Sequence, residues 1–308
     1  MTRYIIQRLV YMIITMFLIA TLTFFLMKLL PGSPLASADK LSEEQQAVVL
    51  EKYGLNDPIP VQYYNYMVNL AQGDLGISFQ FDNREVTTII MDRIGPSMQL
   101  GIQAMVIGTI LGMLLGLVSA LYHNSPLDYT STFLAVLGQS IPSFVFAGLL
   151  QFYIGVKLGW FPVALWEGWE YTVLPTVSLA IFPIAIAARF MRTEMLEVMG
   201  SDYIVTARAK GVNKFGVIIK HGLRNALIPL ITVLGPLAIG LMTGTLVIEN
   251  IFAVPGIGEQ FVKAINVNDY PIIMGTTLLL AFMFIFIILV IDLLYGVIDP
   301  RIRLAEGE

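Results

Sequence analysis

The chain alternates between long apolar runs and shorter polar stretches. Runs free of Asp, Glu, Lys and Arg extend from Leu9 to Met27, Ile94 to Leu127, Tyr129 to Val156, Tyr171 to Ala188, Asn225 to Ile248 and Tyr270 to Ile291. Each reaches or approaches the roughly 20 residues that an α-helix needs to cross the hydrocarbon core of a bilayer. Trimmed at their Pro, Gly and polar flanks, they predict six spans, near residues 9–30, 97–121, 130–157, 172–189, 227–248 and 272–297. The pattern describes an all-α integral membrane protein. It divides the chain into a tail with the first span (1–30), an outer polar region (31–96), a membrane core (97–298) containing the polar loop 190–226, and a C-terminal tail (299–308).

The stretch from Arg189 to Pro229 carries seven of the eighteen Lys and Arg residues. Asp202 is suited to cap a helix from about Tyr203 to Lys210, since its carboxylate can accept from the unpaired amides of the first turn. Gly211 is suited to end that helix in a left-handed turn. Asn213 is placed to cap a second short helix, with Phe215, Ile218 and Ile219 as its apolar patch and Lys220 and Arg224 near its end, where the helix dipole favours cations. Such short helices are marginal alone and need a surface to dock on. In the outer region, Ser42 with Gln45 reads as a capping box for a helix ending at Gly54. Val61 to Ala71 reads as another, with Tyr63, Tyr66, Met67 and Leu70 on its apolar side.

Within the spans, Gly108, Gly112 and Gly116 form a four-residue repeat that admits close helix packing, either inside the chain or against a partner. Gln139, Ser140, Pro142, Ser143 and Gln151 place polar groups and a helix breaker in span three. They are candidates for lining a translocation path, or for hydrogen bonding between helices. Pro175 and Pro183 in span four, and Pro229 and Pro236 in span five, predict further bends.

Composition fits this picture: of 308 residues, 56% are hydrophobic and 13% charged, and mean hydropathy is +0.77, whereas soluble domains carry about 25% charged residues. Placing both termini inside puts eleven Lys and Arg residues on the cytoplasmic side and seven outside, so the loop around Asp202 is expected in the cytoplasm. The first apolar run is too long for a cleaved signal, although Ala36, Ser37 and Ala38 form a small-residue site. Without cysteine, disulfides and thiol chemistry are excluded.

The order Asp202, Tyr203, Ala207, Arg208, Ala209, Lys210, Gly211, then Asn225, Ala226, Leu227, Pro229 resembles the cytoplasmic coupling loop of ABC-importer permeases. The glutamate that heads this loop in many families is missing, since Val205 and Thr206 precede Ala207. The outer series Leu30-Pro31-Gly32, Tyr53-Gly54-Leu55, Asp57-Pro58, Gln62-Tyr63, Gly73-Asp74-Leu75-Gly76, Ser78, Arg93 and Pro96 resembles the first permease subunit of dipeptide and oligopeptide importers. So do Glu249, Ile251, Phe252, Pro255, Gly256 and Gly258, and the ending Asp299-Pro300-Arg301-Ile302-Arg303.

The resemblance implies a type I-like importer fold with an extracellular helical cap between spans one and two, in a bacterial or archaeal cell membrane. It implies a second permease subunit, two ABC ATPase subunits carrying ATP and Mg2+, and an extracellular or periplasmic peptide-binding protein. Lipid would surround the chain, and nucleic acid has no part. The segment from Asp202 to Gly211 would then meet an ATPase, small Ala207 and Ala209 allowing close approach. The segment from Glu249 to Gly258 would fold back toward the bundle as a gate or receptor contact, with Ile251 and Phe252 as wedges and Gly256 and Gly258 supplying unusual backbone angles. Cargoes open within the same architecture are short peptides, nickel chelates, glutathione and opines.

The chain has no phosphate-binding loop, not even a Gly-Lys pair, so it is not expected to hydrolyse ATP. Its two histidines, His123 and His221, lack a metal-ligand pattern, so no cofactor or metal is expected in this chain. A stand-alone secondary carrier would require buried ionisable groups and inverted repeats, which inspection does not find. An intramembrane enzyme would require a catalytic constellation, which is likewise missing.

Overall fold

A computed structural model describes residues 2–29, 51, 54–242 and 244–298. The capping box at Ser42 and the basic tail at Arg301 and Arg303 lie outside the described residues. Those described are helical, joined by turns and one isolated antiparallel bridge, Ile77 with Glu85. In chain order the helices are α1 (Thr2–Leu29), α2 (Ile59–Ala71), α3 (Val86–Leu121), α4 (Pro126–Ser140), α5 (Ser143–Leu150), α6 (Glu170–Met199), α7 (Asp202–Ala209), the single turn α8 (Lys214–Gly216), α9 (Arg224–Met242), α10 (Leu246–Ile251), α11 (Ile257–Asn266) and α12 (Tyr270–Ile298). π-Helical turns follow α5 at Gln151–Lys157 and α8 at Val217–Leu223.

Among the described residues, four stretches are long and apolar enough to cross a membrane: Ile6–Leu29, Val86–Leu121, Glu170–Met199 and Tyr270–Val290. Two bent pairs, Pro126–Ser140 with Ser143–Lys157 and Lys214–Leu227 with Pro229–Met242, raise the number to six if each pair is one span. The expected third span is therefore not a straight helix but turns by 102°. The cause is local: Ile141 precedes Pro142 and is pushed to extended backbone, φ −83° and ψ 122°.

Other ends shift for similar reasons. The second helix begins at Val86 rather than near 97, and Pro96 lies inside it. The fourth helix continues ten residues past 189 to Met199, because the buried stripe Ala187, Ala188, Met191 and Met195 persists beyond the first arginine. It also runs through Pro175 and Pro183 as one helix. The fifth stops at Met242 instead of 248, and Gly244 at φ +95° turns the chain before α10.

The described residues form two compact units, one drawn from Met1–Gly95 and Gly256–Phe286, the other from Pro96–Pro255 and Ile287–Glu308. In the first, α2 lies on α1 with Tyr63, Tyr66, Met67 and Leu70 partly buried on its inner side. The Phe24 ring packs against those of Tyr63 and Tyr66, and the Tyr63 hydroxyl shares a 2.8 Å hydrogen bond with Thr21. Burial, helped by neighbouring Tyr63, pushes the Tyr66 phenol up to about 12. Asp269, fully buried ahead of α12, accepts from Ser78 Oγ at 2.5 Å and from the Gln80 amide at 3.0 Å. It thereby ties the Gly73 to Ser78 turn to the start of the last helix.

In the second unit the glycine repeat of α3 faces α6. A Cβ on Gly108 would lie 2.5 Å from Pro183 Cβ, one on Gly112 2.5 Å from Ala187 Cβ and 2.6 Å from the Ile184 carbonyl, and one on Gly116 2.4 Å from the Ala188 carbonyl. The repeat thus serves packing within the chain. Gly112→Val is expected to destabilise the protein by about 1–3 kcal/mol, read as a lower unfolding temperature in detergent; an unchanged temperature would contradict the packing.

Candidate functional site

The polar loop folds as a hairpin of α7 and α8. Ser201, in extended conformation, occupies the N-cap position and Asp202 the first helical turn, so the expected Asp202 cap moves back by one residue. The Ser201 hydroxyl donates to the Val198 carbonyl and does not cap an amide. At the other end Gly211 has φ +79°. Its amide donates to the Arg208 carbonyl at 2.9 Å, and the Val212 amide to the Ala207 carbonyl at 3.2 Å. This paired closure is the Schellman arrangement, which favours glycine at the left-handed position. Val212 then packs with Ile204, Ala207 and Val217 in a small apolar core.

Asn213 caps the returning strand of the hairpin, its Oδ1 accepting from the Gly216 amide at 2.7 Å. The second helix does not end near Arg224 as expected. It passes through the π-helical turn into α9 and bends by 49° between Leu227 and Pro229. The predicted patch also divides: Ile218 is buried, whereas Phe215 is 73% exposed and Ile219 39% exposed. Ala207 is buried inside the hairpin, so its small size lets the two arms close on each other. Asp202, Tyr203, Val205, Arg208, Ala209, Lys210 and Phe215 form the open face.

Asn225 explains why the second part of the motif matters. Its Nδ2 donates to the Tyr203 hydroxyl at 3.1 Å and to the His221 carbonyl at 2.8 Å, tying α7 to the start of α9. Gly222 lets the hairpin press on α6: a Cβ there would stand 3.0 Å from Met195 Cε.

On the helix that leads into the hairpin, Arg192 forms an ion pair with a buried carboxylate. The Asp128 side chain, 2% exposed, sits in the first turn of α4. Arg192 of α6 donates to it through Nε at 2.7 Å and Nη2 at 2.9 Å. Ser119 of α3 and the Asn124 amide donate to the same carboxylate, and His123 Nδ1 lies 3.1 Å from both Asp128 Oδ2 and Arg192 Nη2. Ser125 and Pro126 give this helix a readable start, and the Ser125 hydroxyl accepts from the Asp128 amide. Arg192, however, is sixty-four residues away, and no local pattern pairs it with Asp128.

The remaining candidate residues fall into two groups. In the segment from Glu249 to Gly258, Glu249 is 1% exposed and accepts from Ser97 Oγ at 2.7 Å and the Thr245 amide at 3.2 Å. Phe252, 1% exposed, packs in a core with Leu100, Leu174 and Leu179, with Ile251 against it. Ala253 has φ +51°, and the chain then passes Pro255. Gly256 is extended at φ −94° and Gly258 lies inside α11, so neither supplies the unusual backbone angle expected of it. Around the 102° bend, Arg189 donates to Gln139 Oε1, and the Ser140 hydroxyl to the Val136 carbonyl. Ser143 opens α5 and is partly buried. Gln151 donates to the Val163 and Ile251 carbonyls at 2.8 and 3.0 Å, which ties it to the end of α10. No group of His, Asp and Glu among the described residues is arranged to hold a metal.

Residues 108–304 match the family described as the binding-protein-dependent transport system inner membrane component, and residues 1–101 match the N-terminal domain of such membrane components. The chain belongs to this family of multi-pass transport permeases. Over 304 residues it is 46% identical to the dipeptide transport system permease protein DppB of Lactococcus lactis subsp. cremoris, covering 99% of this chain and 100% of the relative. It is 46% identical over 306 residues to DppB of Bacillus subtilis, covering 99% of each. To the oligopeptide transport system permease protein OppB of Escherichia coli K12 it is 40% identical over 305 residues, covering 98% of this chain and 100% of that one. The fold is shared with an inward-facing form of the MetNI methionine ABC transporter, at TM-score 0.55 and 17% identity over 69% of this chain and 97% of the other.

Asp128→Asn leaves the partly exposed Arg192 guanidinium without its carboxylate and is expected to cost about 1.5–3 kcal/mol. Asp128→Leu combined with Arg192→Met should recover much of that loss. Unfolding midpoints in detergent check both; equal midpoints for Asp128→Asn and the parent would remove the ion pair from the account.

Proposed function

We propose that the chain is one of two membrane subunits of an ATP-driven importer of short peptides. It forms half of the translocation path, while separate ATPase subunits bind ATP and Mg2+ and a binding protein outside the cell delivers the cargo. The single observation carrying this reading is the hairpin. Its Schellman turn and internal apolar core make a rigid unit, and its open face presents Tyr203, Val205, Arg208, Lys210 and Phe215. Near full-length similarity to relatives named as dipeptide and oligopeptide permeases supports the cargo class.

The proposed orientation places this face and both termini in the cytoplasm, in keeping with the distribution of Lys and Arg. The α2 helix would then belong to an extracellular cap beside α1. Closure of the ATPases would displace α7, and the Tyr203 to Asn225 hydrogen bond would carry that displacement into the bent α8 to α9 element, giving alternating access. Ser140 and Ser143 are proposed path-lining groups, whereas Gln139 is taken up by Arg189. The segment Glu249, Ile251, Phe252, Pro255, Gly256 and Gly258 is proposed as the outer gate or receptor contact.

Reconstitution of the chain with its second permease and ATPases should give peptide uptake that requires ATP and the binding protein. Uptake by the isolated chain under an ion gradient would establish a secondary carrier instead. A cysteine placed at Lys214 should resist impermeant thiol reagents in whole cells and react once the membrane is opened; labelling in intact cells would reverse the orientation.

Gly211→Val forces a β-branched residue to φ +79°, where side chains other than glycine are disfavoured by about 1–2 kcal/mol. Peptide uptake is expected to fall at least several-fold per ATP hydrolysed in the assembled complex. An unaltered ratio of uptake to hydrolysis would exclude α7 as the coupling element.

A further inference from the structure

Deeper than the Asp128 ion pair, α3, α4 and α6 flank a recess of about 240 Å3 lined by Gly116, Ser119, Ser131, Thr132, Arg189 and Arg192, among others. Arg189 and Arg192 line this recess, and no Asp or Glu is among its lining residues. Asp128 is engaged by Arg192 through Nε and Nη2, which leaves the Arg192 Nη1 without an acceptor among the described residues. Arg189 donates through Nη1 to the neutral Gln139 amide, and no carboxylate pairs with it among the described residues. A guanidinium in this setting presents a planar fork of donors suited to a phosphate or carboxylate. Hydroxyl groups of Ser131 and Thr132 line the same recess.

Depth selects between soluble and tethered anions. The lining residues lie two to six positions from Leu121 on α3, five to ten from Pro126 on α4, and six to eleven from Met199 on α6. At about 1.5 Å per residue the recess begins a few ångströms inside the helix ends and reaches roughly 16 Å inward. The side chains beside it in sequence are exposed and apolar: Leu114, Val118, Phe133 and Leu137. Apolar flanks below a cationic recess match a molecule with hydrocarbon tails and an anionic head.

We propose that this recess is a binding site for an anionic phospholipid, whose headgroup phosphate accepts from Arg189 and the free Nη1 of Arg192 while its acyl chains lie along the apolar flanks. The site uses residues of this chain alone and does not depend on the importer role. The lipid would supply the missing negative charge, holding α6 against α4 just where the ion pair holds them.

The test uses the purified complete transporter, compared with Arg189→Gln and Arg189→Lys, in nanodiscs of phosphatidylcholine alone or of phosphatidylcholine and phosphatidylglycerol in equal parts. Native mass spectrometry after mild detergent extraction counts retained phosphatidylglycerol. The parent and Arg189→Lys should retain one more such lipid for each copy of this chain than Arg189→Gln, and inorganic phosphate should not substitute for it in protecting against heat. Arg189→Lys shows whether the position tolerates replacement, so a folded Lys variant with a Gln variant of equal lipid content overturns the proposal. Protection by inorganic phosphate equal to that by phosphatidylglycerol also overturns it, in favour of a soluble anion. A third overturning outcome is unchanged lipid retention together with lost discrimination between free and amidated peptide C-termini, which would make Arg189 a reader of the cargo carboxylate.

Discussion

The second unit depends on a charge that cannot be left alone. Asp128 is almost completely buried, and a carboxylate in that condition requires a cation and several donors at once. Arg192 and Ser119 supply them from α6 and α3, while Asn124 contributes its amide, so three helices meet at one side chain. The helix that carries Arg192 ends one turn beyond Met195, at Met199, and the hairpin follows it from Asp202. Its position relative to α4 and α3 is therefore set by the geometry of this ion pair, and the glycine repeat of α3 extends the same contact along α6.

Much of the architecture was legible from periodicity and turn chemistry. The long apolar runs marked the membrane helices, Gly211 and Asn213 marked the hairpin turn, and the inner face of α2 was readable from Tyr63, Tyr66, Met67 and Leu70. Helix ends were harder to place. Arg189 ends an apolar run but not a helix, because a charge limits what lipid accepts while the buried stripe through Met191 and Met195 sustains the helix. Conversely, the charge-free run at span three contains a helix breaker, and the conformational restriction imposed by Pro142 outweighs hydropathy in a 102° turn.

The candidate sites were legible as segments more than as interactions. The resemblance drew attention to Tyr203, Asn225, Glu249 and Phe252, but the hydrogen bond between Tyr203 and Asn225 and the burial of Glu249 and Phe252 depend on tertiary proximity. The same holds for Ser78 and Asp269, distant in sequence and bonded in the fold. A side chain in a recognisable motif can also serve only the motif's own shape. Ala207 closes the hairpin on itself, while Tyr203, Val205 and Phe215 stay exposed.

The sixty-four residues between Asp128 and Arg192 also impose an order on biogenesis. At ordinary translation speeds of about 5–20 residues per second, the acid leaves the ribosome roughly 3–13 s before its cation. The carboxylate is then withdrawn from water only when α6 arrives, so insertion of the later helix completes the earlier one.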